Sequence, residues 1–82
     1  MFKRSDTAAA AYLALRRRQL QGFQHSGPGD LYGLVQTILG LSDNARATHR
    51  NFENEVRWGL QDAAPKFNLP VVHPRRNQWS IG

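Results

Sequence analysis

Residues 45–82 read ARATHRNFENEVRWGLQDAAPKFNLPVVHPRRNQWSIG, and the two halves of this stretch carry different periodicities. From Phe52, apolar side chains recur at Val56, Leu60 and Ala63 with Gly59 alongside, the repeat of a helix that buries one face. Its opposite face carries Arg50, Glu53, Asn54, Arg57, Trp58 and Gln61. Glu53 and Arg57 stand at i,i+4 and are expected to pair, while Trp58 is expected to pack against a neighbouring element. Ala64-Pro65 should close the helix, because the residue before a proline is pushed out of the helical region. Phe67 and Leu69 are then expected to seal the core. Beyond them, Val71-Val72 and Trp79-Ser80-Ile81 flank a polar centre, His73-Pro74-Arg75-Arg76-Asn77. Trp79 and Ile81 share a face through the two-residue period of a strand. The centre suits a turn, with proline's fixed φ and Asn77 able to take positive φ. A two-stranded ribbon is marginal alone, so Val72, Trp79 and Ile81 are expected to lie against the helices.

Upstream, Ser5 or Asp6 is placed to cap a helix that opens in alanines and stops at Gly22, leaving residues 1–6 as an arm. On this helix Ala9, Leu13, Arg16 and Leu20 share one face, with Tyr12 at its edge, and Leu15 points away, an imperfect periodicity that suits a helix touched on more than one side. Arg16-Arg17-Arg18 reads as a solvated end. His25-Ser26-Gly27-Pro28-Gly29 is a loop. Asp30 then caps a second helix whose Leu31, Leu34, Val35, Ile38, Leu39 and Leu41 make it the core element, with Gly40 marking a helix end or a tight contact. Gly27-Pro28-Gly29 and Gly33 lack the upstream strand and Gly-Lys-Ser/Thr ending of a phosphate loop. Ser42 or Asp43 opens a further turn or helix, Asn44 to Thr48, which either continues into the next helix or breaks from it near His49 to Asn51. The expected fold is α+β: a winged helix-turn-helix of three or four helices followed by a C-terminal β-hairpin wing. One domain spans 1–82, with the helical part at 7–64 and the hairpin at 71–81.

Eighty-two residues leave room for one modest core, burying about 60–65% of the surface the unfolded chain exposes. There is no cysteine, hence no disulfide framework and no thiolate zinc site. No segment reads as a membrane span or a signal peptide, so a cytoplasmic setting with no membrane partner is the expectation. The net charge of +5 comes from eleven Lys or Arg against six Asp or Glu and favours a polyanionic partner. The bases cluster at Lys3-Arg4-Arg16-Arg17-Arg18, Arg46-Arg50-Arg57 and Lys66-Arg75-Arg76, with acids interleaved in the middle group. His25, His49 and His73 are too far apart in sequence for a zinc pair. Glu53 and Glu55 diverge on the helix, and no serine has a recognisable base. No catalytic residue, metal or cofactor is expected.

Three blocks carry a resemblance: Leu39-Gly40-Leu41-Ser42-Asp43, then Asn51 to Ala63 around Trp58, then His73-Pro74-Arg75-Arg76-Asn77-Gln78-Trp79-Ser80-Ile81. Together they resemble the amino-terminal winged-helix domain of Mrr-type restriction endonucleases over roughly residues 31–82. In that family a turn like Leu39 to Ser42 precedes an arginine-bearing helix with a central tryptophan, matched by Trp58. The family's wing arginines match Arg75 and Arg76, and its strand back to the core matches Trp79 and Ile81. Asn77 replaces the family's wing glycine, and the junction at 63–70 is longer than usual. The resemblance implies a domain that reads DNA, often modified DNA, within a restriction or defence system, while a separate endonuclease domain cuts. No endonuclease domain fits in this chain, so it is expected to be either part of a larger parent or a small free-standing relative.

Double-stranded DNA is accordingly the expected partner. The site residues are Arg46, then Arg50, Asn54, Arg57 and Gln61 of the helix facing the major groove, with Arg75, Arg76 and Asn77 on the wing against backbone or minor groove. His73, if it flanks the wing, is placed to touch phosphate. The alternative is a winged helix used for protein contact, as in small phage or bacterial regulators, motivated by Glu53, Glu55 and Asp62 near the proposed recognition helix and by Trp58. RNA recognition is a weaker option, since no aromatic pair is placed on a sheet to stack bases.

Overall fold

Local chemistry sets the helix boundaries. In the computed structural model, which describes residues 3–49 and 51–82, α1 spans Arg4–Leu20, α2 Pro28–Ile38, α3 Asp43–Thr48 and α4 Phe52–Phe67. The antiparallel strands β1, Val71–Arg75, and β2, Gln78–Ile81, complete a winged helix-turn-helix arrangement. Gly22 and Gly40 end the first two helices with φ of 97° and 71°. At each, the following residue's N–H bonds back over the last turn, Phe23 to the Arg18 carbonyl at 2.9 Å and Leu41 to that of Gln36 at 3.0 Å. Only a residue without Cβ takes this left-handed conformation at little cost. Ser42 caps α3, its Oγ accepting the Ala45 N–H at 3.0 Å. Ser42→Ala is expected to lower stability by about 1 kcal/mol, read as a shift of the urea midpoint at unchanged slope.

Several boundaries differ from those expected. α1 begins at Arg4, because Asp6, three residues into the helix, accepts the Lys3 N–H at 3.2 Å, so 4–6 belong to the helix rather than to an arm. α2 likewise begins at Pro28, with Asp30 reaching back to the Gly27 N–H at 3.0 Å. α4 runs through Pro65 to Phe67 instead of stopping at 64. Proline removes one donor near the C-terminus, while Asn68, at φ 55°, turns the chain so that its own N–H and that of Leu69 bond the Ala64 and Ala63 carbonyls. The hairpin turn is tighter than 73–77. His73, Pro74 and Arg75 lie in β1, and only Arg76 and Asn77 form the turn, Asn77 at φ 60°. Pro74 falls where the pairing register shifts between Val72 and Arg75 on the outer strand, a place where its missing N–H costs little.

Leu31, Val35, Val56 and Leu60 form the fully buried centre, with Phe52, Ala63, Val71 and Trp79 around it. Phe67, Leu69 and Ile81 pack against this core, as expected, and so do Leu34, Ile38, Leu39 and Leu41 of the second helix region. Val71, not Val72, is the inward valine of β1; Val72 is 43% exposed. On α1 the face that carries Ala9, Leu13, Arg16 and Leu20 is the outer one. Thr7, Ala8, Ala10, Ala11, Ala14 and Leu15 are buried, while Leu13 and Leu20 are 45% and 83% exposed. The reason lies on α4: a Cβ at Gly59 would stand 3.1 Å from backbone atoms of Thr7 and Ala8. The two backbones come close enough that only small side chains fit between them.

Candidate nucleic-acid interface

The helix-turn-helix proper is α3 and α4. Opposite its buried stripe, α4 exposes Glu53, Asn54, Arg57, Trp58 and Gln61, as the sequence pattern requires. The hairpin sits beside this face because its base is pinned from an unexpected quarter. Ser26, in the loop before α2, exchanges two backbone hydrogen bonds with Trp79 (2.9 and 2.8 Å), adding a one-residue third strand to β2. The next residue, Gly27, lies so close to the wing that a Cβ there would meet the Asn77 carbonyl oxygen at 2.9 Å. A lone bridging residue has no sequence periodicity, and the sequence pattern shows this segment only as a loop.

These contacts close a hollow of about 200 Å³ between α4 and the wing. Arg57 and Gln61 line it from α4, Arg76, Asn77, His73 and Trp79 from the hairpin, and Pro28 from α2. Its wall is ordered: the His73 ring stacks on Trp79, with centroids 3.8 Å apart and planes 9° apart. Among the described residues no carboxylate lines it. Two guanidiniums, two side-chain amides and an imidazole converge there, a set that offers donors to phosphate or to base edges. His73, Trp79 and Pro28 are the contributors that sequence pattern alone does not place in the site, although the wing position of His73 pointed to it.

The acids near α4 mostly turn away from this face. Asp62 accepts from Arg4 Nη1 at 2.9 Å and lies 3.6 Å from Lys66 Nζ, and Glu55 lies 3.8 Å from Arg4 Nε. Arg4 also stands 5.0 Å from the centroid of Trp58, which is packed under it yet 38% exposed. Among the described residues the remaining ion pair joins Arg18 to Asp30, so the expected Glu53–Arg57 pair is not made. Arg57, Arg75 and Arg76 are thus left without an acidic partner among the described residues.

The other predicted site residues distribute as follows. Arg75 is exposed on β1 at the end of the wing, next to the hollow's residues in sequence but not lining it. Asn54 lines a second, wider hollow of about 520 Å³ at the start of α4, with Asp43, Arg46, Ala47, His49, Phe52 and Glu53. Arg46 is half-buried there. Its Nη1 donates to Gln36 Oε1 at 3.0 Å, and its guanidinium lies 5.0 Å from the Phe52 ring centroid. Gln36 in turn donates to Asp43 at 2.8 Å and to the Leu41 carbonyl at 3.2 Å, so Arg46 braces α3 against α2. Arg50 lies outside the described residues.

Among the described residues no helix is long and apolar enough to cross a membrane, and no group of three His, Cys, Asp or Glu is placed to hold a metal. No protein-family model matches the chain, and neither a curated protein nor a solved structure does.

Proposed function

We propose that this domain binds double-stranded DNA, with α4 entering the major groove and the wing gripping the backbone or the adjacent minor groove. The observation that carries this reading is the shared hollow, where Arg57 and Gln61 of the helix meet Arg76 and Asn77 of the turn with no carboxylate among the described residues that line it. In that role Arg57 and Gln61, with Asn54, present hydrogen-bonding groups to base edges. Arg75, Arg76 and Asn77 hold phosphate. The resemblance to the amino-terminal domain of Mrr-type endonucleases supports a narrower version: sensing of modified DNA in a restriction or defence system. The domain itself is not an enzyme in this reading; cutting belongs to a domain outside this chain.

Use of the same face for protein contact is the competing reading, and its motivation is weakened. Glu55 and Asp62 are engaged by Arg4, leaving Glu53 as the acid on the exposed side of α4.

Fluorescence anisotropy against methylated and unmodified duplexes, over a series of salt concentrations, tests the proposal. Binding is expected at low salt, with log K falling linearly against log salt by about 0.9 for each phosphate engaged. A preference for the methylated duplex supports the narrower version. No binding to any duplex at low salt, from a folded sample, would reject DNA as the partner.

A further inference from the structure

Of the three arginines that close α1, Arg16 and Arg17 are exposed, whereas Arg18 is turned inward with 19% of its side chain exposed. Its guanidinium reaches two partners at once. Nε donates to Ser26 Oγ at 3.0 Å, and Nη2 lies 3.6 Å from the Asp30 carboxylate. The Phe23 ring covers the flat face, its centroid 3.9 Å from Arg18 Cζ. Phe23 is held there because its N–H closes the end of α1 on the Arg18 carbonyl. A lysine ammonium is a point charge on a flexible stem and does not reproduce this set; a planar cation with donors in a fixed fork does.

Both residues that seat the wing are tied to that cation. Ser26 is 2% exposed, and its N–H and carbonyl are both taken by Trp79, so its hydroxyl is what fixes it from behind. Gly27, which lies against the Asn77 carbonyl, donates its N–H to the same Asp30 oxygen that Arg18 faces. Trp79 and Asn77 line the hollow together with Arg76, whereas Arg18 does not line it. A two-stranded ribbon holds no fixed attitude by itself. A binding constellation keeps its geometry when packing and further hydrogen bonds lock the residues that form it. We infer that Arg18 is a positioning residue for duplex binding: through Ser26 and Asp30 it fixes the wing against α4, and so sets where Arg76 and Asn77 stand relative to Arg57 and Gln61. The inference rests on the duplex reading of the hollow and adds to it a residue outside the DNA-contacting set.

Two variants that leave the net charge unchanged test it. Arg18→Lys keeps the cation and loses the fork, while Ser26→Ala keeps both backbone bonds to Trp79 and loses the acceptor. In the free full chain, the NMR amide signals of Arg76, Asn77 and Trp79 are expected to move in each variant while those of α3 stay in place. In fluorescence anisotropy at low salt, Arg18→Lys is expected to bind a duplex about tenfold more weakly. Its salt slope should fall by about one, the signature of a lost phosphate contact, although no charge has been removed. In an Arg76→Ala background the same substitution should cost less than about twofold, because the contact it acts through is already gone. Should Arg18→Lys fail to fold, Ser26→Ala carries the same test with the same sign. Wing amides that stay in place overturn the inference. So does parental affinity in the variants, or a loss that is equal with and without Arg76. Absence of duplex binding by the parent chain rejects the duplex reading instead, and the amide shifts of the free protein then decide whether Arg18 seats the wing.

Discussion

Arg57→Ala combined with Arg76→Ala is expected to reduce duplex affinity by at least about 30-fold and to lower the salt slope by about one. Removing an arginine that holds a base edge costs about 1–3 kcal/mol, and removing one that holds a phosphate takes about one unit from the slope. The two residues come from elements separated by a turn and a strand, yet they line one hollow. Because they line one hollow, each helps to seat the duplex for the other, and their effects couple. A double-mutant cycle should then show an interaction of about 0.5–3 kcal/mol rather than simple addition. Strict additivity would mean that helix and wing engage the duplex independently. Both side chains are exposed and without acidic partners among the described residues, so thermal stability should stay within about 0.5 kcal/mol of the parent. Arg16→Ala with Arg17→Ala serves as a control, because those residues lie on the far side of α1. Equal losses for the two double variants would reduce the interaction to bulk charge and discard the hollow as a site.

Gly59→Leu is the substitution expected to damage the fold most. Its Cβ alone would lie 3.1 Å from the Ala8 nitrogen and the Thr7 carbonyl carbon, and 3.2 Å from Thr7 Cγ2. Two of those neighbours are backbone and cannot rotate away. Overpacking of this kind costs about 1–3 kcal/mol and more where backbones must separate. Small domains start near the low end of the about 5–15 kcal/mol range of folding free energies. Urea unfolding followed by circular dichroism should show a loss of most of the cooperative transition, with α1 and α4 displaced. Gly59→Ala is milder, since the gain of about 1 kcal/mol in helix propensity opposes the steric conflict. A parental urea midpoint for Gly59→Leu would show that α1 and α4 are not held at this separation.

α4 was legible from the sequence because its two faces differ in kind: large apolar groups at Phe52, Val56 and Leu60, polar groups at Asn54, Arg57 and Gln61. The helix ends at Gly22, Gly40 and Ser42 and the turn at Asn77 were legible because backbone conformation and capping depend on a few neighbouring atoms. α1 was not. Its leucines form an apolar stripe, but its alanines form another, and which one is buried depends on whether the opposing helix offers a groove or a glycine. The extension of α4 past Pro65 was hidden for a related reason, since the bonds that close its last turn, on the Ala63 and Ala64 carbonyls, come from Asn68 and Leu69 beyond it.

The amino-acid sequence by itself therefore determined the element order, the stops of the first two helices, the inward side of α4 and the arginine-tipped turn, all matters of chemistry within a few residues. Tertiary structure alone decided that α1 buries its alanines, that Ser26 and Gly27 seat the wing against the helices, and that Arg4 draws Glu55 and Asp62 away from the basic face. Those outcomes join residues about 50 positions apart. Close packing selects among faces of similar apolarity by shape, and opposite charges pair according to where the backbone has already brought them.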